Sequence, residues 1–300
     1  MIQKFLCQSY QSDFRRGSGP RLLSVSYVPA LFNKQHPRIL HRHEDAFELL
    51  LITSGEGVYY LDTAYYPIKK GDLVFCNSGV LHDELSEKNR DLSFYGLRIT
   101  GLMYRDLPEN HLIDGQACPV VGLGDTYGTF EALFQELYRY ADTRYRLEEF
   151  CGHLMMAIIT LAVSQNPYVP AMERQASNTR LAGRDETPGT GRIYQIKQYI
   201  DRNYQEDLSL ESLGKIFNLS PYYLSHIFKK TFEIPPMQYL YRRRIGEAQS
   251  LLTTTPYSVT EVASRVGFGD SNYFTVQFGK YVGMPPSAYR NIYARSRPDP

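Results

Sequence analysis

Four side chains in the N-terminal half stand where coordination or hydrogen-bond chemistry is expected. The stretch HRHEDAFELLLITSG carries His41, His43 and Glu48, and GDLVFCNSGVLH adds His82. Residues two apart on a strand share a face, so His41 and His43 can aim into one interior. Three imidazoles and a carboxylate suit a divalent cation with water completing its shell. The same set suits direct hydrogen bonding to a polar ligand, or plain packing. Tyr60, with Tyr59, Tyr65 and Tyr66 close by, offers aromatic faces to a sugar ring, though aromatic residues are favoured in strands in any case. Arg98 is placed to meet a carboxylate or hydroxyl. A second set lies near the C-terminus. Tyr222, Ser225, His226, Lys229 and Lys230 fall on one side of a helical period, with Leu224, Ile227 and Phe228 on the other. A polar, aromatic and cationic face of this kind suits base edges and phosphates.

The elements that must hold these residues differ between the two halves. Residues 20–125 alternate short runs of Val, Ile, Leu, Phe and Tyr with Gly, Pro and Asn, the pattern of a β sandwich or barrel. Gly55, Gly57, Gly71 and Gly79 are expected to mark turns between those strands. Residues 127–165 change to a helical period, with Phe130, Leu133, Phe134 and Leu137 on one face. The second helix of this stretch, LEEFCGHLMMAIITLAV, is apolar on nearly every side. It therefore needs more than one cover: the sheet is one candidate and the same helix of a second copy in a homodimer the other, the alternative being a single well-buried helix. Residues 169–190 have linker composition, polar and rich in Gly and Pro without a sustained period. The expected organisation is a sensor domain over 1–168, a linker over 169–190 and a helical domain over 191–295.

The helical domain says nearly the same thing twice. EIPPMQYL in the first half is echoed by GMPPSAYR in the second. Leu210, Leu213, Phe217 and Leu219 match Val259, Val262, Val266 and Phe268. Leu224, Phe228, Pro235, Pro236 and Tyr239 match Phe274, Phe278, Pro285, Pro286 and Tyr289. Asn218 and Gly267 tolerate the left-handed backbone that ends a helix. Ser220 then caps the next helix with Pro221 at its first position, and Gly269–Asp270 fill that place in the second copy. Each copy is thus helix, tight turn, helix, a plan whose second helix can enter a major groove.

At this point a resemblance is evident. LSPYYLSHIFKK, RRRIGEAQSLL, VTEVASRVGF and YFTVQFGKYVGMPPSAYR resemble the tandem helix-turn-helix domain of the AraC/XylS transcription regulators along its length. The resemblance implies two recognition helices joined by one long helix near Pro236–Leu252. Base-facing places fall on Tyr222, Ser225 and His226 in the first recognition helix, and on Ser271, Asn272, Thr275 and Val276 in the second. Family members commonly carry arginine where this chain has Val276 and lysine where it has Gly279. The first helix is therefore expected to do most of the sequence reading. The His-x-His…Glu…Gly and Gly…Gly…His spacings resemble the two cupin motifs, with Asn77 in place of the usual proline. Such barrels joined to AraC-type domains look like effector sensors. The overall fold class expected is α+β and multidomain: an N-terminal cupin-like β-barrel with following helices, then an all-α tandem helix-turn-helix domain.

Composition narrows the function classes. With 43% hydrophobic and 22% charged residues the chain is an ordinary folded protein rather than a disordered one. No apolar run approaches the ~18 residues of a membrane helix, and no export signal is read at the N-terminus. Cys7, Cys76, Cys118 and Cys151 lack zinc-site spacing and suit reduced thiols, so a cytoplasmic location is expected. Residues 189–300 hold 14 Lys and Arg against 9 Asp and Glu, which points toward a polyanion. These readings converge on a dimeric activator of catabolic genes, bound to promoter DNA, working with RNA polymerase and responding to a small effector, most plausibly a carbohydrate. A divalent metal in the barrel is a candidate cofactor. The rival is a metal-dependent cupin enzyme with a regulatory helical domain. Only the His and Glu set favours it, because no further acid–base group accompanies that set.

Overall fold

The computed structural model describes residues 13–14, 19–62, 64–83, 90–115, 117–141, 147–165 and 190–294. The expected linker over 169–190 lies almost wholly outside the described residues. Among the described residues no helix is long and apolar enough to cross a membrane.

The N-terminal domain is built on one antiparallel seven-stranded sheet. Its strands are β1 (Arg21–Val28), β2 (Phe47–Leu61), β3 (Ala64–Lys69), β4 (Asp72–Cys76), β5 (His82–Asp83), β6 (Arg90–Thr100) and β7 (Val120–Gly122), with a short helix α1 (Ala30–Gln35) between the first two. The main path is β1-β6-β2-β4-β7, with β3 and β5 also pairing to β2. Alternation along β2 and β6 separates two apolar faces. Phe47, Leu49 and Leu51 join Phe75, Leu97 and Ile99 under the helices α2 (Tyr127–Tyr140) and α3 (Glu148–Gln165). Leu50, Ile52, Val74, Cys76 and Phe94 form a separate interior cluster on the other face with Tyr59 and Leu61.

Two of the glycines expected as turns are not turns. Strand β2 runs through Gly55 and Gly57, with Gly57 paired to Ile68. Gly55 has φ of 76° beside two register shifts against β6, so it is a bulge that lets one long strand bend. Gly71 and Gly79, with φ of 91° and 76°, do sit in turns.

The C-terminal domain is helical throughout. It comprises α4 (Thr190–Asn203), α5 (Leu210–Phe217), α6 (Pro221–Phe232), α7 (Pro236–Thr254), α8 (Val259–Arg265), α9 (Ser271–Val282) and α10 (Pro286–Ala294). The sequence duplication becomes a structural one. Leu213, Leu224, Phe228 and Tyr239 of the first copy and Val262, Phe274, Phe278 and Tyr289 of the second share one core. Asn218 is left-handed at φ of 52° and Gly267 at 90°, each directly before a recognition helix turn. Ser220 accepts a hydrogen bond from the Tyr223 amide, and Asp270 accepts one from the Tyr273 amide, so both α6 and α9 are capped as expected.

Candidate effector pocket and nucleic-acid interface

Strand pairing brings the four sequence-distant ligating groups together. Glu48 on β2 lies directly across from Arg98 on β6 and from Cys76 on β4. His41 and His82 pair as an isolated antiparallel bridge, exchanging both backbone hydrogen bonds. One ligating atom from each of His41, His43, Glu48 and His82 lies within 4.8 Å of the others. The Glu48 carboxylate stands 3.1 Å from Nε2 of His82 and 3.8 Å from Nε2 of His43.

Hydrogen bonds on the far side of two rings fix which nitrogen points inward. Nδ1 of His41 lies 2.8 Å from the Ile39 carbonyl, and Nδ1 of His82 lies 2.9 Å from the Val80 carbonyl. Donating that proton to backbone leaves Nε2 of His41 as a lone-pair donor facing the cluster, whereas Nε2 of His82 gives its proton to the Glu48 carboxylate. Burial would lower His82, but its contacts with Cys76 and Glu48 outweigh that and hold it well above its usual value. Burial holds His43 down to about 3 and drives His41 well below its usual value, so both rings are neutral. Burial would raise Glu48, but its hydrogen bond with His82 and the nearby His43 hold it near 2. The Glu48 carboxylate and the neutral imidazoles of His41 and His43 are donors a divalent cation takes, with His82 joining once it gives up its proton. The same set accepts from or donates to oxygens of a polar ligand. Arg98 adds a cation at the rim, its Nε anchored on Ser24 at 2.9 Å.

The two recognition helices present contrasting faces to solvent. On α6, Tyr222 is 83% exposed and stacks parallel on His226, with Lys229 and Lys230 exposed one turn on. Ser225 is half-buried between them. On α9, Val276 is 65% exposed and Asn272 is exposed, while Ser271 and Thr275 are half-buried and Thr275 donates its hydroxyl to the Ser271 carbonyl. The first face therefore offers an imidazole, a phenol and two ammonium groups. The second offers one amide, an apolar side chain, the phenol of Tyr273 and a single ammonium, Lys280, at the place equivalent to Lys230.

Comparison with known proteins agrees with both halves. A model described as an AraC-like ligand binding domain matches residues 31–156, and one described as a helix-turn-helix domain matches 213–292. The uncharacterized HTH-type transcriptional regulator YdiP of Escherichia coli K12 is 28% identical over 98% of this chain and 93% of its own. The HTH-type transcriptional activator RhaS of Enterobacter sp. strain 638 is 25% identical over 83% of this chain and 86% of its own. The crystal structure of the DNA-binding domain of AdpA in complex with a target DNA is 30% identical over 36% of this chain and 97% of that one, with a TM-score of 0.35.

The chain is an AraC-family transcriptional regulator. It binds DNA through its helix-turn-helix domain and carries an AraC-like ligand-binding domain, and the two relatives named above, which match most of its length, are transcriptional regulators. The enzyme alternative is thereby set aside.

Within this regulator two sequence-based expectations need correction. Tyr60 does not face the His cluster. Its neighbour Tyr59 stacks on His82, and successive strand residues point to opposite faces. Tyr60 instead packs against the C-terminal domain with Tyr65, beneath Lys197. The basic character of the C-terminal third is also only partly a surface property. Arg242, Arg243 and Arg244 are all buried. They bind Asp83, Glu247, and the Tyr204 and Glu206 carbonyls respectively, so these cations are structural.

Three contributors escaped the sequence reading. Cys76 lies 3.0 Å from Nδ1 of His82, a contact visible only once β4 is registered against β2. Tyr223 and Tyr273 are exposed at equivalent places on α6 and α9. Their signal was available, since both precede the buried Leu224 and Phe274 of the repeat.

Proposed function

We propose that this AraC-family regulator activates transcription as a homodimer, reading its operator chiefly through α6 and responding to a small polar effector held at His41, His43, Glu48, His82 and Arg98. The observation that carries the DNA assignment is the contrast between recognition faces. His226 and Tyr222 on α6 can pair with base edges while Lys229 and Lys230 meet phosphates, whereas Val276 on α9 offers only an apolar contact such as a thymine methyl. Activation, through contact with RNA polymerase, is supported by the RhaS relative, which is named an activator. The dimer is supported by α3, whose Phe150, His153, Ala157 and Thr160 form an exposed strip beside half-buried Leu154 and Leu161.

The pocket chemistry favours an effector rich in oxygen. Glu48, neutral His43 and Arg98 pair with vicinal hydroxyls or a carboxylate. A carbohydrate fits that polar set, but of the four tyrosines expected to stack on it, Tyr60 and Tyr65 turn to the other domain. A second reading has its own observation, the two Nδ1 atoms committed to backbone carbonyls. They turn both Nε2 atoms inward. Once a divalent cation displaces the proton His82 shares with Glu48, the imidazole and carboxylate set would hold that cation and through it the effector's oxygens.

Selection of duplexes from a random pool by the full chain tests the DNA assignment. The selected site should lose affinity steeply with rising salt. His226→Ala should relax its base preference more than Asn272→Ala; the reverse order would transfer the reading to α9. For the cation, metal content of protein purified without chelator should fall in His41→Ala/His82→Ala, and equal content in both would remove the metal reading.

A further inference from the structure

The pocket and the DNA-binding domain share a backbone segment. Residues 35–40 run along the C-terminal domain, and every one of them is engaged. A Cβ on Gly283 would overlap the Gln35 carbonyl, and His36 Nδ1 lies 3.2 Å from the carbonyl of Val282, the last residue of α9. Gln249 of α7 donates to the Pro37 carbonyl at 3.1 Å and accepts from the Ile39 amide at 2.9 Å. Arg38 reaches Ser250 at 2.8 Å and Tyr289 at 3.2 Å. The Leu40 carbonyl sits against Gly246, in the middle of α7, so closely that any Cβ would overlap it. The next residue is His41 of the pocket.

Two more contacts complete this seat. Arg242 of α7 makes two hydrogen bonds to Asp83, at 2.7 and 3.2 Å, with both side chains buried, and Asp83 follows His82 of the pocket. The Tyr65 hydroxyl donates to the carbonyl of Phe232, the last residue of α6. The sensor domain therefore holds the C-terminal ends of both recognition helices and the helix between them. Tyr222 and Val276, toward the other ends, remain exposed.

We propose that this seat is the regulatory contact: the sensor domain splints the two helix-turn-helix units in a DNA-competent arrangement, and the pocket controls the splint through His41 and His82. This rests on the pocket reading given above. The link is mechanical. His41 holds the Ile39 carbonyl from the pocket side while Gln249 holds the Ile39 amide from the DNA side. A ligand that repositions His41 must move the Ile39 backbone or break that hydrogen bond. Likewise His82 and Asp83 are adjacent on β5, one facing the pocket and the other α7. Two recognition helices fixed at one separation bind two grooves with less ordering cost than two hinged ones. An effector changes operator affinity only as far as it prefers the seated or unseated arrangement.

Gly246→Ala in the full chain separates seat from fold, because alanine is the better helix former yet cannot fit against Leu40. The expected result is loss of hydrogen-exchange protection at the Ile39 amide, with protection in α5–α9 retained. Affinity for the selected duplex should drop about tenfold, within the usual range of coupling between sites. His41→Ala should shift affinity in the same direction, and the double variant should fall no further than Gly246→Ala alone, since both act on one contact. Unchanged Ile39 exchange in Gly246→Ala would overturn the seat. Released exchange with affinity within twofold of the parent, or higher, would overturn the splint. Additive effects in the double variant would overturn the link to the pocket. Should the parent select no duplex, the DNA reading fails, while the exchange comparison still decides the seat.

Discussion

Asn77 stands where the cupin pattern has proline, and its side chain gives the reason. Its amide donates to the Ile113 carbonyl at 2.7 Å and its oxygen accepts from the Leu112 amide at 3.0 Å, all in the interior. Proline could make neither bond, so segment 112–113 would have two buried backbone groups unpaired. Asn77→Ala is expected to cost the sensor domain about 2–3 kcal/mol, from two stranded polar groups plus lost bonds, measured by urea unfolding. A loss under about 0.5 kcal/mol would show that water replaces the amide. The same scale explains Arg243, the largest fully buried side chain. It lies 2.8 Å from Glu247 and over the Tyr204 ring at 4.3 Å. Arginine in a run of three reads as a surface charge in sequence, because the i,i+4 spacing to Glu247 is legible there but nothing local says that Arg243 faces inward.

At the scale of elements, the two helix-turn-helix units are alike in plan and unequal in tolerance. Asn218 and Gly267 occupy equivalent left-handed positions, but their surroundings differ. Around Gly267 an added Cβ would fall 2.6 Å from the Gln205 carbonyl oxygen, against the loop after α4. Gly267→Ala should therefore combine backbone strain with a steric clash and cost about 2–3 kcal/mol. Asn218→Gly should stay within about 0.5 kcal/mol of the parent, because glycine adopts φ of 52° freely. Thermal melts of the two variants check the asymmetry, and equal losses would contradict it. The element reading from sequence failed at β2 for a related reason. Glycine signals either a turn or a bulge, and only pairing partners on both sides of Gly55 and Gly57 keep the strand running through them.

At the scale of the whole molecule, the exposed strip on α3 is the proposed dimer face. Phe150→Glu places a carboxylate in it and should convert dimer to monomer in sedimentation at micromolar concentration, with operator affinity falling through lost effective concentration. A dimer that survives the change would place the contact elsewhere. Sequence by itself determined the two-domain plan and the tandem helix-turn-helix, and it supplied the candidate residues of the two proposed sites. Each of these rests on short-range signals: a repeat with matching caps, a His-x-His spacing on one strand face, and a switch of hydrophobic period near residue 127. What only the tertiary structure decided was which of those residues meet. Strand register placed Glu48 between Cys76 and Arg98 and turned Tyr60 away from the pocket. Docking buried Arg242 on Asp83 and laid Gly246 against Leu40. Such contacts join residues well over a hundred positions apart. Their partners are chosen by packing across the finished fold, and no local pattern carries that information.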